Sequence, residues 1–222
     1  KMLANGPLKG WPAFFATPEL FPGRIEKTAA WKDLAGVARS AKPWLDGMPR
    51  VIFCDDMGDR WTSSLPIDSL APTLPVIAKA PHIYLWFTKR PDRAAAFFST
   101  HAAPENLWLV TTITSWQEAR LRALLRCKVA VRGVSYEPIL GDAVEAIHRF
   151  PGIDWWIFGG ASGNNAPATD VDIIRAGVAA CRDVGAAPFV KQLGTRAMAV
   201  PPPSPGRRYI IDRPGVRWQL SL

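Results

Sequence analysis

Short apolar runs recur along the chain from residue 50 onward, and each run ends in a cluster of polar residues or glycines. Six runs are continuous and rich in β-branched and aromatic residues, and they cover residues 51–54, 83–87, 107–111, 129–134, 154–158 and 187–190. Uninterrupted apolar runs of this length are typical of strands in parallel sheets, where both faces are buried. The pattern predicts six buried, mutually parallel strands that neighbour one another in sequence order.

Apolar residues between the runs recur with the spacing of amphipathic helices. Helices are predicted over residues 25–38, 67–80, 115–125 and 170–184. Thr169 and Asp170 are both suitable N-caps for the last of these. Because strands and helices alternate, the sequence predicts an α/β fold built as an incomplete parallel (β/α) barrel.

One domain and a tail account for the chain. Residues 1–200 are predicted to form a single partial barrel, whose first 50 residues are irregular and rich in proline and tryptophan. Residues 201–222 begin with a stiff Pro-rich linker and continue as a basic tail, in which 209–211 and 216–220 are predicted to pair as a hairpin. The chain starts with lysine rather than methionine, so we expect the polypeptide to extend upstream.

Positive charge is concentrated at the two ends of the chain, which has a net charge of +8. Residues 1–50 contain 8 basic and 4 acidic side chains, and residues 191–222 contain 6 and 1. Basic ends suit a polyanionic partner such as nucleic acid or a nucleotide, and a solvated basic surface is the alternative. The sequence does not indicate an oligomeric state.

Cysteines are few, and no apolar segment is long enough to cross a membrane. Cys54, Cys127 and Cys181 lie far apart and lack the spacing of metal ligands, so we expect three buried thiols and no metal site built from them. The absence of an apolar leader and of a disulfide framework favours a cytoplasmic location and no membrane partner.

Polar residues collect where the predicted strands end, and in a parallel sheet these ends meet at one edge. A functional site is therefore predicted at this edge. We expect catalytic roles for Asp56, Lys89, Glu137 and Lys191. We expect a cofactor or ligand to contact Asp59, Thr112, Ser135, Gly159, Gly160, Ser162, Asn164 and Gln192.

Several of these residues have structural alternatives. Lys89 would hold a phosphate or carboxylate, or would belong to the cap of the next helix. Asp56 and Asp59 would form a metal or ribose clamp, or would begin a helix. Glu137 would point into the site, or would pair with Arg132.

The two glycines after the fifth strand are expected to line a ligand pocket. Gly159 and Gly160 would let backbone groups approach the ligand closely, with Ser162 and Asn164 adding small donors and acceptors. The alternative is a tight turn that requires a positive φ at one glycine.

Motifs in a fixed order link the chain to a known family. They are Leu20-Phe21-Pro22-Gly23-Arg24, Lys42-Pro43-Trp44-Leu45-Asp46-Gly47, Asp56-Met57-Gly58-Asp59, Thr88-Lys89-Arg90-Pro91, Ser135-Tyr136-Glu137-Pro138, Asp154-Trp155-Trp156-Ile157-Phe158-Gly159-Gly160 and Phe189-Val190-Lys191-Gln192-Leu193-Gly194. Through them, residues 14–194 resemble a phage- and mobile-element-associated family with a radical-SAM-like fold and no settled function.

The resemblance implies a partial barrel that binds S-adenosylmethionine and a 4Fe–4S cluster. In such proteins three closely spaced cysteines ligate the cluster, which cleaves S-adenosylmethionine reductively to an adenosyl radical. This chain contains no such cysteines, so the ligands lie upstream of Lys1 or this member is degenerate. A second departure is Ala161, where similar proteins carry glutamate in a Gly-Gly-Glu-Ser-Gly run.

Two hypotheses of different classes follow. The first is a radical S-adenosylmethionine enzyme acting on nucleic acid or a nucleotide-like substrate. The second is a degenerate barrel that binds a ligand or nucleic acid without catalysis. An acid–base enzyme that uses Glu137, Asp56 and Lys191 is a weaker third option.

Overall fold

Nine strands are assigned within the part of the chain that the computed structural model describes, which is residues 20–55, 58–199 and 209–210. They are β1 (Arg50–Cys54), β2 (His82–Thr88), β3 (Leu107–Ile113), β4 (Val131–Tyr136), β5 (Trp155–Gly159), β6 (Thr169–Asp170), β7 (Ala187–Gln192), β8 (Ala197–Ala199) and β9 (Tyr209–Ile210). The main sheet has the order β1-β2-β3-β4-β5-β7, and all its neighbours are parallel. The sheet curls into a half-barrel, which confirms the predicted parallel partial barrel.

Helices connect the strands of this sheet. They are α2 (Leu74–Lys79), α3 (Pro91–Thr100), α4 (Glu118–Arg126), α5 (Val144–Arg149) and α6 (Val171–Asp183), whereas α1 (Arg24–Ala29) precedes β1. Asp170 is the N-cap of α6 and accepts a hydrogen bond from the Asp172 amide at 2.8 Å. This arrangement decides between the two N-caps that the sequence allowed.

Two predicted helices are shorter than expected. The predicted helix over 25–38 ends at Ala29, and beyond it the Asp33 carboxylate accepts a hydrogen bond from the Ala35 amide while Gly36 adopts a φ of 74°. A side chain that bonds the nearby backbone competes with the helix, and a left-handed residue cannot continue it. In the region 67–80, a 3-10 helix over Ile67–Thr73 precedes α2, because Pro72 has no amide hydrogen to donate.

Alternate residues of the main sheet have different surroundings. On the convex face, helices cover Tyr84, Trp86, Trp156 and Phe158, which are fully buried. The concave face has a smaller cluster of Leu85, Val110 and Ile157, with Phe87, Trp108 and Trp155 partly buried beside it.

Burial on both faces, as the sequence predicted, is therefore wrong for the two outer strands. Val51 and Phe53 on β1 and Phe189 on β7 are each about half exposed. The described residues place no layer over the concave side, so inward-facing side chains on these strands remain accessible.

A second, small sheet lies beside the half-barrel. In it, β8 pairs with β6 in parallel and with β9 in antiparallel orientation. The sequence instead predicted a hairpin between residues 209–211 and 216–220. The second of these segments lies outside the described residues, as do the linker over 201–206 and the first 19 residues. No helix among the described residues is long and apolar enough to cross a membrane.

Candidate functional site

Glu137 and Lys191 form an ion pair at the carboxyl edge of the half-barrel. Lys191 Nζ lies 3.2 Å from Glu137 Oε1 and 3.3 Å from Oε2, and the Ser135 hydroxyl donates to Oε2 at 2.8 Å. The Glu137 side chain is mostly buried, whereas that of Lys191 is exposed. Arg132 pairs with Asp154 at 3.4 Å, so the alternative pairing of Arg132 with Glu137 is wrong.

Gly159 provides the space in which the Glu137 side chain lies. β4 and β5 are neighbours, and a Cβ atom on Gly159 would lie only 2.7 Å from Glu137 Cγ. The Gly159 carbonyl also accepts a hydrogen bond from the Ile139 amide at 2.8 Å. Because Gly159 has no side chain, the end of β5 leaves the space that the Glu137 side chain occupies.

Gly160 has a different environment from Gly159. A Cβ atom there would collide with the Leu193 carbonyl and the Thr169 hydroxyl, and the Gly160 amide donates to the Gln192 carbonyl at 3.0 Å. Its φ is not positive, so the tight-turn alternative does not describe it. Gly160 permits close packing of the segments after β5 and β7.

Gln192 ties the same two segments together. Its amide nitrogen donates to the Gly160 carbonyl at 2.7 Å, and its Oε1 accepts from the Gly194 amide at 2.7 Å and from the Ser162 hydroxyl at 3.3 Å. These bonds occupy the polar atoms of Gln192 within the protein. Ser162 and Asn164 are exposed on the loop after β5 and accessible to a ligand.

Asp59 joins the loop after β1 to the end of β2. Its carboxylate accepts hydrogen bonds from the Thr88 hydroxyl at 2.9 Å and from the amides of Lys89 and Trp61 at 2.8 and 3.1 Å, and it lies 3.4 Å from Arg90 Nη1. With this many partners, the carboxylate stabilises the loop and has little capacity left for a metal or ribose. Lys89 is exposed at the same strand end.

The structure therefore brings together only part of the predicted site. Glu137, Lys191, Ser135 and Gly159 are in contact, and Thr112 on β3 is in register with Ser135. No hydrogen bond or ion pair joins this group to Asp59 or Lys89 in the part of the chain that the structure describes. Asp56 lies outside the described residues.

Asp55 is a partly buried carboxyl group directly after β1, and the sequence placed it among the polar residues at the strand ends without a role of its own. It has a φ of 59°, and the indole nitrogen of Trp86 donates to its Oδ2 at 2.8 Å. Burial raises the pKa of the Asp55 carboxyl, while the Trp86 hydrogen bond and the Arg60 charge oppose this change. In the sequence, only the two consecutive aspartates after β1 indicate that a carboxyl group lies at this strand end.

Residues 14–209 match the sequence profile of a family described as "Protein of unknown function (DUF5131)". The chain belongs to the DUF5131 family. No curated protein and no solved structure matches the chain. The family's undetermined function agrees with the expectation drawn from the motifs, and the matched DUF5131 region spans the whole half-barrel and its carboxyl edge.

The cysteines of the DUF5131 chain do not fit the 4Fe–4S cluster that the sequence resemblance implies. Cys54 ends β1, Cys127 follows α4 and Cys181 lies within α6, and all three are buried. Burial raises the pKa of the Cys127 and Cys181 thiols to about 12 and also raises that of Cys54, whereas iron requires thiolates. Within the described ranges, no three His, Cys, Asp or Glu side chains gather as metal ligands.

Proposed function

We propose that this chain is a radical-SAM-like half-barrel that binds S-adenosylmethionine at its carboxyl edge, as a ligand-binding protein. The observation that supports this proposal is the Glu137–Lys191 ion pair, which is held by Ser135 and Gly159 and is open to solvent on the Lys191 side. Radical chemistry would also need a cluster, and the three dispersed, buried cysteines of this sequence do not supply its ligands.

The ion pair matches the amino-acid end of S-adenosylmethionine in charge. The ligand's ammonium group would take the place of Lys191 beside the Glu137 carboxylate, and its carboxylate would pair with the released Lys191 ammonium. Because Lys191 is exposed, its ammonium group can move into solvent, and the ligand's ammonium group would keep the mostly buried Glu137 charge paired. The Ser135 hydroxyl keeps the Glu137 carboxylate in place during the exchange.

The loop after β5 supports the adenosyl end. Ser162 and Asn164 are exposed there, and the hydrogen bonds of Gln192 hold the beginning of this loop against the segment after β7. A hydroxyl and a carboxamide on a tethered loop provide donors and acceptors of the kind that ribose and adenine require.

Calorimetry on the full 222-residue chain tests the proposal. We expect S-adenosylmethionine and S-adenosylhomocysteine to bind, and methylthioadenosine, which lacks the amino-acid end, to bind more weakly. Glu137→Gln and Lys191→Met should each lower the affinity about 10- to 100-fold, because each removes a charge-assisted contact. Arg175→Met is the matched control, since it breaks an exposed Arg175–Asp172 ion pair on α6 and should leave affinity unchanged.

Two outcomes would contradict this function. Equal affinity in wild type, Glu137→Gln and Lys191→Met would show that the ion pair is not the site. Formation of a stoichiometric cluster after anaerobic reconstitution of this chain with iron and sulfide, measured by its absorbance spectrum, would contradict a function limited to binding S-adenosylmethionine without a cluster.

A further inference from the structure

Five aromatic rings lie on the concave face of the half-barrel, at inward-facing positions of β1, β2, β3, β5 and β7. This aromatic lining consists of Phe53, Phe87, Trp108, Trp155 and Phe189. Phe53 and Phe87 have ring centroids 4.8 Å apart, and Trp155 lies 6.1 Å from Trp108 and 6.3 Å from Phe189. The rings thus form two contacting groups, one near each outer strand.

Gly133 on β4 allows the group of three rings, Trp108, Trp155 and Phe189, to form. Trp108 and Trp155 lie on the strands that flank β4, and Gly133 pairs directly with Trp155. A Cβ atom on Gly133 would lie 2.9 Å from Val110 Cγ2 and 3.5 Å from the Trp155 ring. Because β4 contributes no side chain at this position, two indole rings from strands that are not neighbours meet edge to face.

This lining is accessible, unlike the interior of a closed barrel. Closed barrels fill their interior with side chains from every strand. Here Phe53 is 51% exposed and Phe189 is 49% exposed in the part of the chain described. Phe87, Trp108 and Trp155 are partly exposed between them. Five accessible aromatic rings on one concave surface indicate a binding surface rather than isolated exposed side chains.

The carboxyl edge beside this lining presents positive charge to solvent. Two ion pairs lie there, and each buries its carboxylate more than its cation: Asp59 is 13% and Arg90 44% exposed, and Glu137 is 15% and Lys191 58% exposed. Lys89 is exposed at the same edge and has no carboxylate partner among the described residues. An anionic ligand would therefore meet cations first.

We propose that the aromatic lining is a binding site for unpaired bases of single-stranded nucleic acid. Exposed rings that stack on bases, next to cations that contact the phosphates, are the combination by which proteins bind single strands. Duplex DNA would not bind in the same way, because its bases are already paired and stacked. An apolar protein segment would explain the rings but would gain nothing from the basic edge.

This site is separate from the one proposed for S-adenosylmethionine. Its defining residues are the rings of the lining, whereas the other site is defined by the Glu137 carboxylate; Lys191 belongs to both, as a cation of the basic edge and as the partner of Glu137. Variants at Glu137 and variants in the lining can therefore fail independently of each other.

Fluorescence anisotropy of the full chain with labelled oligothymidylate of about twelve nucleotides tests the proposal. Wild type should bind at low salt, more weakly as salt rises, and much more weakly to an abasic strand with the same number of phosphates. The double variant Phe53→Ala/Phe189→Ala should lose about 5- to 100-fold in affinity, as expected for removing one or more stacking rings. Trp31→Ala is the matched control, because Trp31 is 45% exposed and lies beside Arg50 and His82 at the amino ends of β1 and β2, away from the basic edge, and should not affect binding.

Folding of the variants is checked by thermal denaturation. If the alanine variant unfolds, Phe53→Leu/Phe189→Leu replaces it, because leucine keeps apolar bulk but cannot stack. The proposal is overturned if the folded double variant binds as wild type does, if the abasic strand or a duplex binds equally well, or if no strand binds at low salt.

Discussion

At the scale of single residues, Asp55 shows how burial changes a side chain. Its carboxyl group lies under the Trp86 indole at the end of β1, and burial raises its pKa above the ordinary value of 3.8. The folded protein therefore binds the Asp55 carboxyl proton more tightly than the unfolded chain does. As a result, the free energy of unfolding falls as pH rises from 3.8 through the raised pKa of the folded state. Ionisation of the Asp55 carboxyl group therefore destabilises the fold.

Replacing Asp55 by asparagine should remove this cost. Asparagine tolerates a φ of 59°, and its amide oxygen can still accept the Trp86 hydrogen bond. We expect Asp55→Asn to have a higher Tm than wild type at pH 7, with a difference that shrinks as pH falls toward 3.8. Thermal denaturation across this pH range measures the effect.

The control for that experiment is Asp33→Asn, an exposed loop position whose carboxylate also bonds one neighbouring group, the Ala35 amide. A gain in Tm for Asp55→Asn that is the same at every pH, or a loss at pH 7, would contradict the role assigned to burial.

At the scale of elements, the two consecutive glycines at the junction of β5 with β7 have different structural roles. Gly159 makes room for a flexible glutamate side chain, and Gly160 makes room for the backbone of Leu193. A side chain can move aside at little cost, whereas a strand backbone held by hydrogen bonds cannot. Gly160→Ala should therefore destabilise the fold, whereas the pocket interpretation of this glycine expects a loss of ligand binding with the fold largely intact.

Alanine at the two positions should give opposite results. Gly159→Ala should keep a Tm close to that of wild type but displace Glu137 and lower S-adenosylmethionine affinity. Gly160→Ala should lose about 1–3 kcal/mol of unfolding free energy through overpacking. Urea denaturation and calorimetry on both variants measure these changes, and a stable Gly160→Ala beside an unfolded Gly159→Ala would contradict the assignment.

At the scale of the whole molecule, the three thiols report on the integrity of the fold. Cys54, Cys127 and Cys181 are buried, and burial raises the pKa of each thiol, so little reactive thiolate is present near neutral pH. Cys54 ends β1, at the opposite side of the sheet from Lys191 on β7, Cys127 follows α4, and Cys181 lies within α6, so the three do not form a ligand group.

Thiol-reactive dye should therefore label the native chain slowly at pH 7 and label all three cysteines rapidly in denaturant. The rate of labelling, measured with and without urea, is the readout. One cysteine reacting in the native state as fast as in urea would show that its part of the core opens readily, and a Cys→Ser variant at each position would identify it.

Much of the architecture could be predicted from the sequence, because its causes are local. Except for β4, which contains Arg132, Gly133 and Ser135, each strand of the half-barrel contains a continuous apolar run, and its end is marked by the polar residues and glycines that follow. The grouping of Ser135, Glu137 and Lys191 at one edge followed from parallel strands alone. The N-cap at Asp170 was one of two residues that the local sequence allowed.

Only the tertiary structure decided which groups face one another. Glu137 pairs with Lys191, 54 residues away, rather than with nearby Arg132, because strand neighbours and their register bring distant residues together. Phe53 and Phe189 are apolar yet exposed, since burial depends on whether another layer covers the concave face and not on the residue itself. A sequence specifies strands through local propensity, but contacts between strands, and hence the site and the aromatic lining, depend on the curvature and register of the whole sheet.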